Sequence, residues 1–130
     1  FSAFKRLLSV TDLLLLDVKH MDTQAHRKLT GHPNENVLDC ARFLSEIDKS
    51  VWIRHVLVPG INSDDESVSK LVDFVKELKN VKKVEILPYH TLGIAKWKAL
   101  NLPYALDEVN PPSDELLAKV RSRVDNMFNK

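Results

Sequence analysis

The chain of 130 residues contains one cysteine, Cys40. A single thiol excludes an internal disulfide, and by itself it can hold neither zinc nor an iron–sulfur cluster. Charge of one sign is equally scarce, since 19 Lys and Arg against 18 Asp and Glu leave a formal charge of +1. That balance gives no sign of a polyanion-binding surface, so nucleic acid is not an expected partner. No aliphatic run approaches the roughly 20 residues that a membrane helix requires, and no basic segment with a cleavage site precedes one. A membrane is therefore not an expected partner either, and a cytoplasmic location is the expectation. Internal repeats and low-complexity tracts are missing. There is no initiating methionine, and residues 1–9 put Phe4, Leu7 and Leu8 on one helical stripe. They read as the tail of a helix whose beginning lies elsewhere, so a processed chain or a piece of a longer one is expected.

What is present suits one globular unit: 44% hydrophobic and 28% charged residues support a single core. The stretch LLLLDVKHMD, residues 13–22, reads as a buried parallel strand over 13–18 that ends in Asp17 and Lys19. Charged residues at the end of such a strand have left the packed interior for a mouth or a solvent edge. Asp22 can cap a short helix that Gly31 stops. After Pro33, a second helix carries Val37, Leu38, Ala41, Phe43, Leu44 and Ile47 on its apolar stripe. VWIRHVLVP is β-branched and aromatic and reads as a second strand, ended by Pro59-Gly60. Ser63 and Glu66 form a capping-box pattern before a helix that buries Leu71, Phe74, Val75 and Leu78. VKKVEILP is a third strand. Residues 89–112 lack clear periodicity, and loops of that length usually have a job. A last helix starts near Ser113 and buries Leu116, Leu117, Val120, Val124 and Phe128. Strands alternating with helices imply a parallel α/β sheet. Three strands make a poor independent sheet, so part of a barrel or of a doubly wound sheet is expected.

Each strand delivers polar residues at or near its carboxyl end: Asp17 and Lys19 from the first, Arg54 and His55 from the second, Tyr89 and His90 just past the third. That end is where parallel sheets bind ligands, because the diverging βα loops leave a crevice. The period of two puts Asp17 and Lys19 on one face, and Trp52, Arg54 and Val56 on one face, with His55 pointing the other way. Lysine and arginine suit a carboxylate or phosphate, and an aspartate suits ribose hydroxyls or an amine. A small zwitterionic or nucleoside-like ligand matches the set. The same residues admit plainer roles: a surface ion pair for Asp17 and Lys19, an arginine satisfied by carbonyls for Arg54, a backbone cap for His90. His20, His26 and His32 lack the spacing of a helical metal pair and read as surface or capping residues, and Cys40 as a core residue.

TDLLLLDVKHMD, VWIRHVLVPG and VEILPYHTLGIAKWKALNLPY, in that order and spacing, resemble the second half of the pyruvate formate-lyase activating enzymes. These are radical S-adenosylmethionine (SAM) activases of glycyl-radical enzymes. LPYH followed by Gly93, Lys96 and Trp97 is the most specific block. The resemblance implies that residues 1–130 are the C-terminal portion of a partial (β/α)6 TIM-like barrel. The family's first half carries a C-x-x-x-C-x-x-C loop for a [4Fe-4S] cluster, and the cluster reductively cleaves SAM to a radical that takes hydrogen from a glycine of pyruvate formate-lyase. This chain has no such motif, and Cys40 cannot replace three thiolates. The fragment is therefore expected to be inactive alone and to have no catalytic or metal residues of its own.

By the same resemblance, Asp17 and Lys19 help to hold SAM, and Arg54 lies at the mouth shared with the substrate peptide. His90 contacts SAM, and Val56 and Leu87 line the adenine side. Trp97 and Tyr104 are expected to receive the partner's glycine loop or else to pin residues 89–112 to the barrel. Reduced flavodoxin or ferredoxin is the implied electron donor. Two other classes fit the spacing: a Schiff-base barrel aldolase using Lys19 beside Asp17, and a non-catalytic interaction domain derived from a barrel. An exposed edge at the first strand would favour a homodimer or a swapped assembly.

Overall fold

The structure is a computed structural model, and it describes residues 1–128. The elements run α1 (Ser2–Ser9), β1 (Leu14–Asp17), α2 (Thr23–Thr30), α3 (Glu35–Glu46), β2 (Val51–Leu57), α4 (Asp65–Glu77), β3 (Val81–Pro88), α5 (Ile94–Ala99) and α6 (Asp114–Phe128). The three strands form one parallel sheet in the order β1-β2-β3.

Strand β2 alternates buried and half-buried positions along its whole length, and this alternation divides the sheet into two unlike faces. On one face, Ile53, His55, Leu57, Val84 and Ile86 are buried. The four aliphatic residues among them pack with Leu44 of α3, Val68, Leu71 and Val75 of α4, and Val120 and Val124 of α6. Burial of each such aliphatic side chain stabilises the fold by roughly 1.5–3 kcal/mol. The other face carries Leu15, Asp17, Trp52, Arg54, Glu85 and Leu87, none of them fully buried. Leu15 is 54% exposed.

Local signals explain the boundaries. Asp22 accepts a hydrogen bond from the Ala25 amide at the start of α2, and Gly31 closes that helix with φ at +82°, a left-handed conformation that favours glycine. Helix α4 differs from the Ser63–Glu66 expectation. Its N-cap is Asp64, whose carboxylate accepts from the amide and hydroxyl of Ser67. An aspartate one residue later outcompetes the serine because its charged oxygens accept both bonds and face the positive helix end. Ser113 does cap α6, accepting from the Leu116 amide. Residues 89–112 are not all loop: α5 interrupts them, closed by Asn101 at φ +53°. Leu7 and Ile47 lie outside the core, 59% and 45% exposed, while Leu8 is buried. The expected burial of the Phe128 side chain lies outside the described residues.

Candidate functional site

Strand register builds the site. Asp17 of β1 is the register partner of Arg54 on β2, and Arg54 is the partner of Glu85 on β3. A register shift between Val51 and Trp52 skips Lys82, so that Lys83, Glu85 and Leu87 share a face with Trp52, Arg54 and Val56. The open face therefore carries parallel rows. Leu15, Trp52 and Lys83 form the first. Asp17, Arg54 and Glu85 form the second. Val56 and Leu87, register partners in turn, form the third, towards the strand ends. An apolar row thus sits above a charged one.

The charged row is connected. Lys19 Nζ donates to Asp17 Oδ2 at 2.8 Å, and Lys83 Nζ to Glu85 Oε1 at 2.9 Å. Lys83 Nζ also stands 4.9 Å from the centre of the Trp52 ring. Arg54 lies between the two carboxylates without bonding to either: its Nε is 3.7 Å from Asp17 Oδ1 and 4.0 Å from Glu85 Oε2. That Nε is buried and has no hydrogen-bond partner among the described residues. A buried, unsatisfied N–H of a guanidinium is costly, and such atoms in native proteins ordinarily have a ligand, an ion or water to meet them.

Above the charged row lies a cleft of about 380 Å³ lined by Arg54, Val56, Leu87, Pro88, Tyr89 and His90. The expected site residues Arg54, Val56, Leu87 and His90 all line it. Asp17 and Lys19 adjoin it through Arg54. Arg54 stands midway along β2, level with Asp17 at the end of β1, and β2 runs three residues further. His90 is exposed at the rim. Glu85 was not singled out in the sequence, although the period of two that joins it to Leu87 places it on the open face.

Trp97 and Tyr104 do not line this cleft. Their rings lie 5.4 Å apart, and the Tyr104 hydroxyl is 2.8 Å from that of buried Tyr89. Burial first, and the Tyr104 contact second, push the Tyr89 phenol up to about 12. Of the histidines, His32 and His90 are exposed. His20 and His26 are buried, not surface residues, and both bond to backbone: His20 Nε2 to the Ile61 carbonyl at 2.8 Å and His26 Nδ1 to the His32 carbonyl at 2.6 Å. Capping is their role. His55 points away from the site, as the period of two requires, and its Nδ1 meets the Val18 carbonyl at 2.7 Å. Burial lowers its pKa below the ordinary value, with the Val18 bond opposing. Cys40 is partly buried beside Phe1, Phe4 and Phe43, and burial pushes its thiol up. Among the described residues, no group of three or more His, Cys, Asp and Glu side chains could hold a metal ion. No helix among them is long and apolar enough to cross a membrane.

No family model matches the chain. Solved structures do share its fold. A domain of pyruvate-formate lyase-activating enzyme from Bacteroides vulgatus superimposes with a TM-score of 0.80 over 98% of this chain and 70% of that one, at 24% identity. A radical SAM methyltransferase from Sphaerobacter thermophilus does so with 0.66, over 98% of this chain and 36% of the other, at 16% identity. The chain thus shares the fold of these two domains. Sequence narrows the class. Over 112 residues, 86% of the chain, it is 53% identical to the pyruvate formate-lyase-activating enzyme of Streptococcus mutans and 56% identical to that of Staphylococcus epidermidis. The Staphylococcus aureus enzyme is 52% identical over the same length. This chain is a homologue of the pyruvate formate-lyase-activating enzymes. The match spans 43–45% of the length of these relatives, so the chain corresponds to less than half of each.

Proposed function

We propose that residues 1–130 are the C-terminal portion of a partial (β/α)6 barrel in a radical SAM activase, and that the whole protein activates pyruvate formate-lyase. The identity of 52–56% to enzymes of that name supports the reading. The observation that carries it is Arg54, whose buried Nε has no hydrogen-bond partner among the described residues, lining a cleft walled mostly by apolar side chains. An apolar wall with a few convergent polar groups suits a nucleoside that bears charge at one end.

In this reading Val56 and Leu87 line the adenine side of SAM, and Asp17 and Lys19 hold its ribose or its methionyl group. Arg54 sits where SAM meets the substrate peptide, and His90 closes the rim. When bound and reductively cleaved, SAM supplies the hydrogen-abstracting radical. The chain's own residues bind and orient: fixed charges and a dry wall hold one geometry of the reacting bond. The residues present do not fit the iron–sulfur cluster. The single thiol, Cys40, lies against α1 aromatics and away from the cleft, and three thiolates are required. The cluster therefore belongs to another part of the whole protein, and this chain alone is inactive. Trp97 and Tyr104 stand on the segment that meets the glycine loop of pyruvate formate-lyase. Reduced flavodoxin or ferredoxin would donate electrons, in the cytoplasm.

The aldolase reading finds no support in the geometry. Lys19 is ion-paired to Asp17 and 37% exposed, not desolvated in an apolar pocket as an amine nucleophile requires. The deciding experiment is electron paramagnetic resonance on the full-length protein, purified without oxygen. A cluster signal perturbed by SAM, followed by a glycyl-radical doublet on adding pyruvate formate-lyase, is expected. Protein loaded with iron that gives no cluster signal would return the choice to an aldolase or an interaction domain.

A further inference from the structure

Four consecutive carbonyls follow the aspartate of β1, and a buried side chain from elsewhere in the fold meets each of them. The Val18 carbonyl accepts from His55 Nδ1 at 2.7 Å, and that of Lys19 from Asn62 Nδ2 at 3.1 Å. The carbonyls of His20 and Met21 both accept from Asn34 Nδ2, at 3.1 and 2.8 Å. The three donors are 3%, 1% and 2% exposed. Strand exits normally leave such groups to water. Here they are bound from three separate segments.

Asn62 does more than satisfy one carbonyl. Its Nδ2 also donates to the Val56 carbonyl at 2.9 Å, and its Oδ1 accepts from the Val58 amide at 2.7 Å. One side chain thus ties the exit of β1, beside Lys19, to the exit of β2, beside Val56. His20 adds a further tie: its Nδ1 accepts from the Asp22 amide and its Nε2 meets the Ile61 carbonyl, one residue before Asn62. Thr23 in turn bonds Asn34 Oδ1 at 2.9 Å, which leaves both Asn34 amide hydrogens to the loop.

We infer that Asn62, Asn34 and His55 are positioning residues, which hold the backbone at 18–21 rigid so that Asp17 and Lys19 stand ready at the mouth before any ligand arrives. The inference rests on the reading of that mouth as a SAM site. Preorganisation of this kind raises affinity by removing the ordering cost of binding. A buried asparagine that only stabilises the fold offers the comparison. Asn80, 1% exposed, donates to the Lys49 carbonyl at 2.7 Å just ahead of β2, far along the strand from the mouth.

The test uses the full-length protein with Asn62→Asp, Asn34→Ala and, as control, Asn80→Ala. Asn62→Asp keeps the size and replaces the donor by a carboxylate oxygen, which faces two carbonyls. Amide hydrogen exchange at residues 18–22 and equilibrium binding of SAM are measured. The two mouth variants are expected to speed local exchange and to weaken SAM binding about tenfold, as the ordering cost returns to binding. Asn80→Ala is expected to lower the melting temperature without either change. If Asn62→Asp does not fold, His55→Leu, which removes the donor to the Val18 carbonyl, takes its place beside Asn34→Ala. Exchange at 18–22 no faster than in Asn80→Ala at matched stability overturns the inference, and so does faster exchange with unchanged SAM affinity. Lys19→Met that binds SAM as tightly as the parent defeats the reading of the mouth instead, and exchange alone then decides whether the clamp exists.

Discussion

Asp17 and Arg54 are register partners on adjacent parallel strands, with Oδ1 and Nε 3.7 Å apart, close enough to attract and too far to hydrogen-bond. Asp17 spends its other oxygen on Lys19, and Arg54 keeps its Nε unsatisfied. Adjacent parallel strands carry the two side chains at this separation.

Asp17→Asn tests that arrangement directly. Both side chains are partly exposed, 43% and 38%, so loss of the pair should cost only about 0–1 kcal/mol of stability after solvent screening. SAM binding by the full-length protein should fall tenfold or more, because Lys19 and Arg54 lose the carboxylate that spaces them. Equilibrium binding and thermal unfolding of the same preparation separate the two effects. A large fall in melting temperature with intact affinity would assign Asp17 to the fold and not to the mouth.

Closure of a barrel over the open face makes a different prediction, at Leu15. In this chain Leu15 is 54% exposed beside Trp52, its register partner. A surface leucine changed to alanine alters stability by within about 0.5 kcal/mol, whereas the same change in a core costs about 2–5 kcal/mol. In the full-length protein, Leu15→Ala is expected to show the core value, because the remaining strands would bury this face. Urea unfolding reads the difference. A surface-sized effect in the full-length protein would remove the support for closure.

The strands and most helices were legible because their signals are local. Asp22 and Gly31 bracket α2, and the apolar stripe of α4 shows at helical spacing. Asp17, Arg54 and Val56 could be assigned to one face from the period of two. Glu85 could not be joined to them with the same ease, since its alignment with Arg54 depends on the register shift that skips Lys82, a property of the pairing and not of either strand. Nor could the clamp be read. Asn34 and Asn62 look like ordinary loop residues until the fold brings them to the carbonyls of residues 19–21. The α4 cap misled for a related reason: Ser63 and Asp64 both qualify, and the hydroxyl of Ser67, invisible to a pattern that looks only for Glu66, decides between them.

On the proposed reading, Trp97 and Tyr104 divide the two roles that the sequence left open for them. Tyr104 is half-buried and bonded to the hydroxyl of Tyr89, whereas Trp97 is 42% exposed beside it. Tyr104→Phe should loosen the segment, with faster hydrogen exchange across residues 91–112. Trp97→Ala should slow activation of pyruvate formate-lyase several-fold while SAM affinity and melting temperature hold. Activation at the parent rate by a Trp97→Ala, Tyr104→Ala double variant would sink the idea that this segment receives the partner.

His55 gives the fold an acid limit with a calculable sign. In the unfolded chain its imidazole takes a proton near the ordinary 6.5; in the fold, burial chiefly, with smaller contributions from His20 and Lys19, lowers that pKa, and the Val18 bond offsets part of the shift. Between the two values the unfolded state binds more protons, so stability rises with pH there. The contribution is complete above pH 6.5 and is lost as pH falls through the lowered folded value. His55→Gln, which keeps a donor for the Val18 carbonyl, should flatten this arm. Urea unfolding of both proteins from about pH 7 down to about pH 5 is expected to show a steeper loss for the parent. Parallel curves would mean that the imidazole at 55 takes its proton as readily in the fold as out of it.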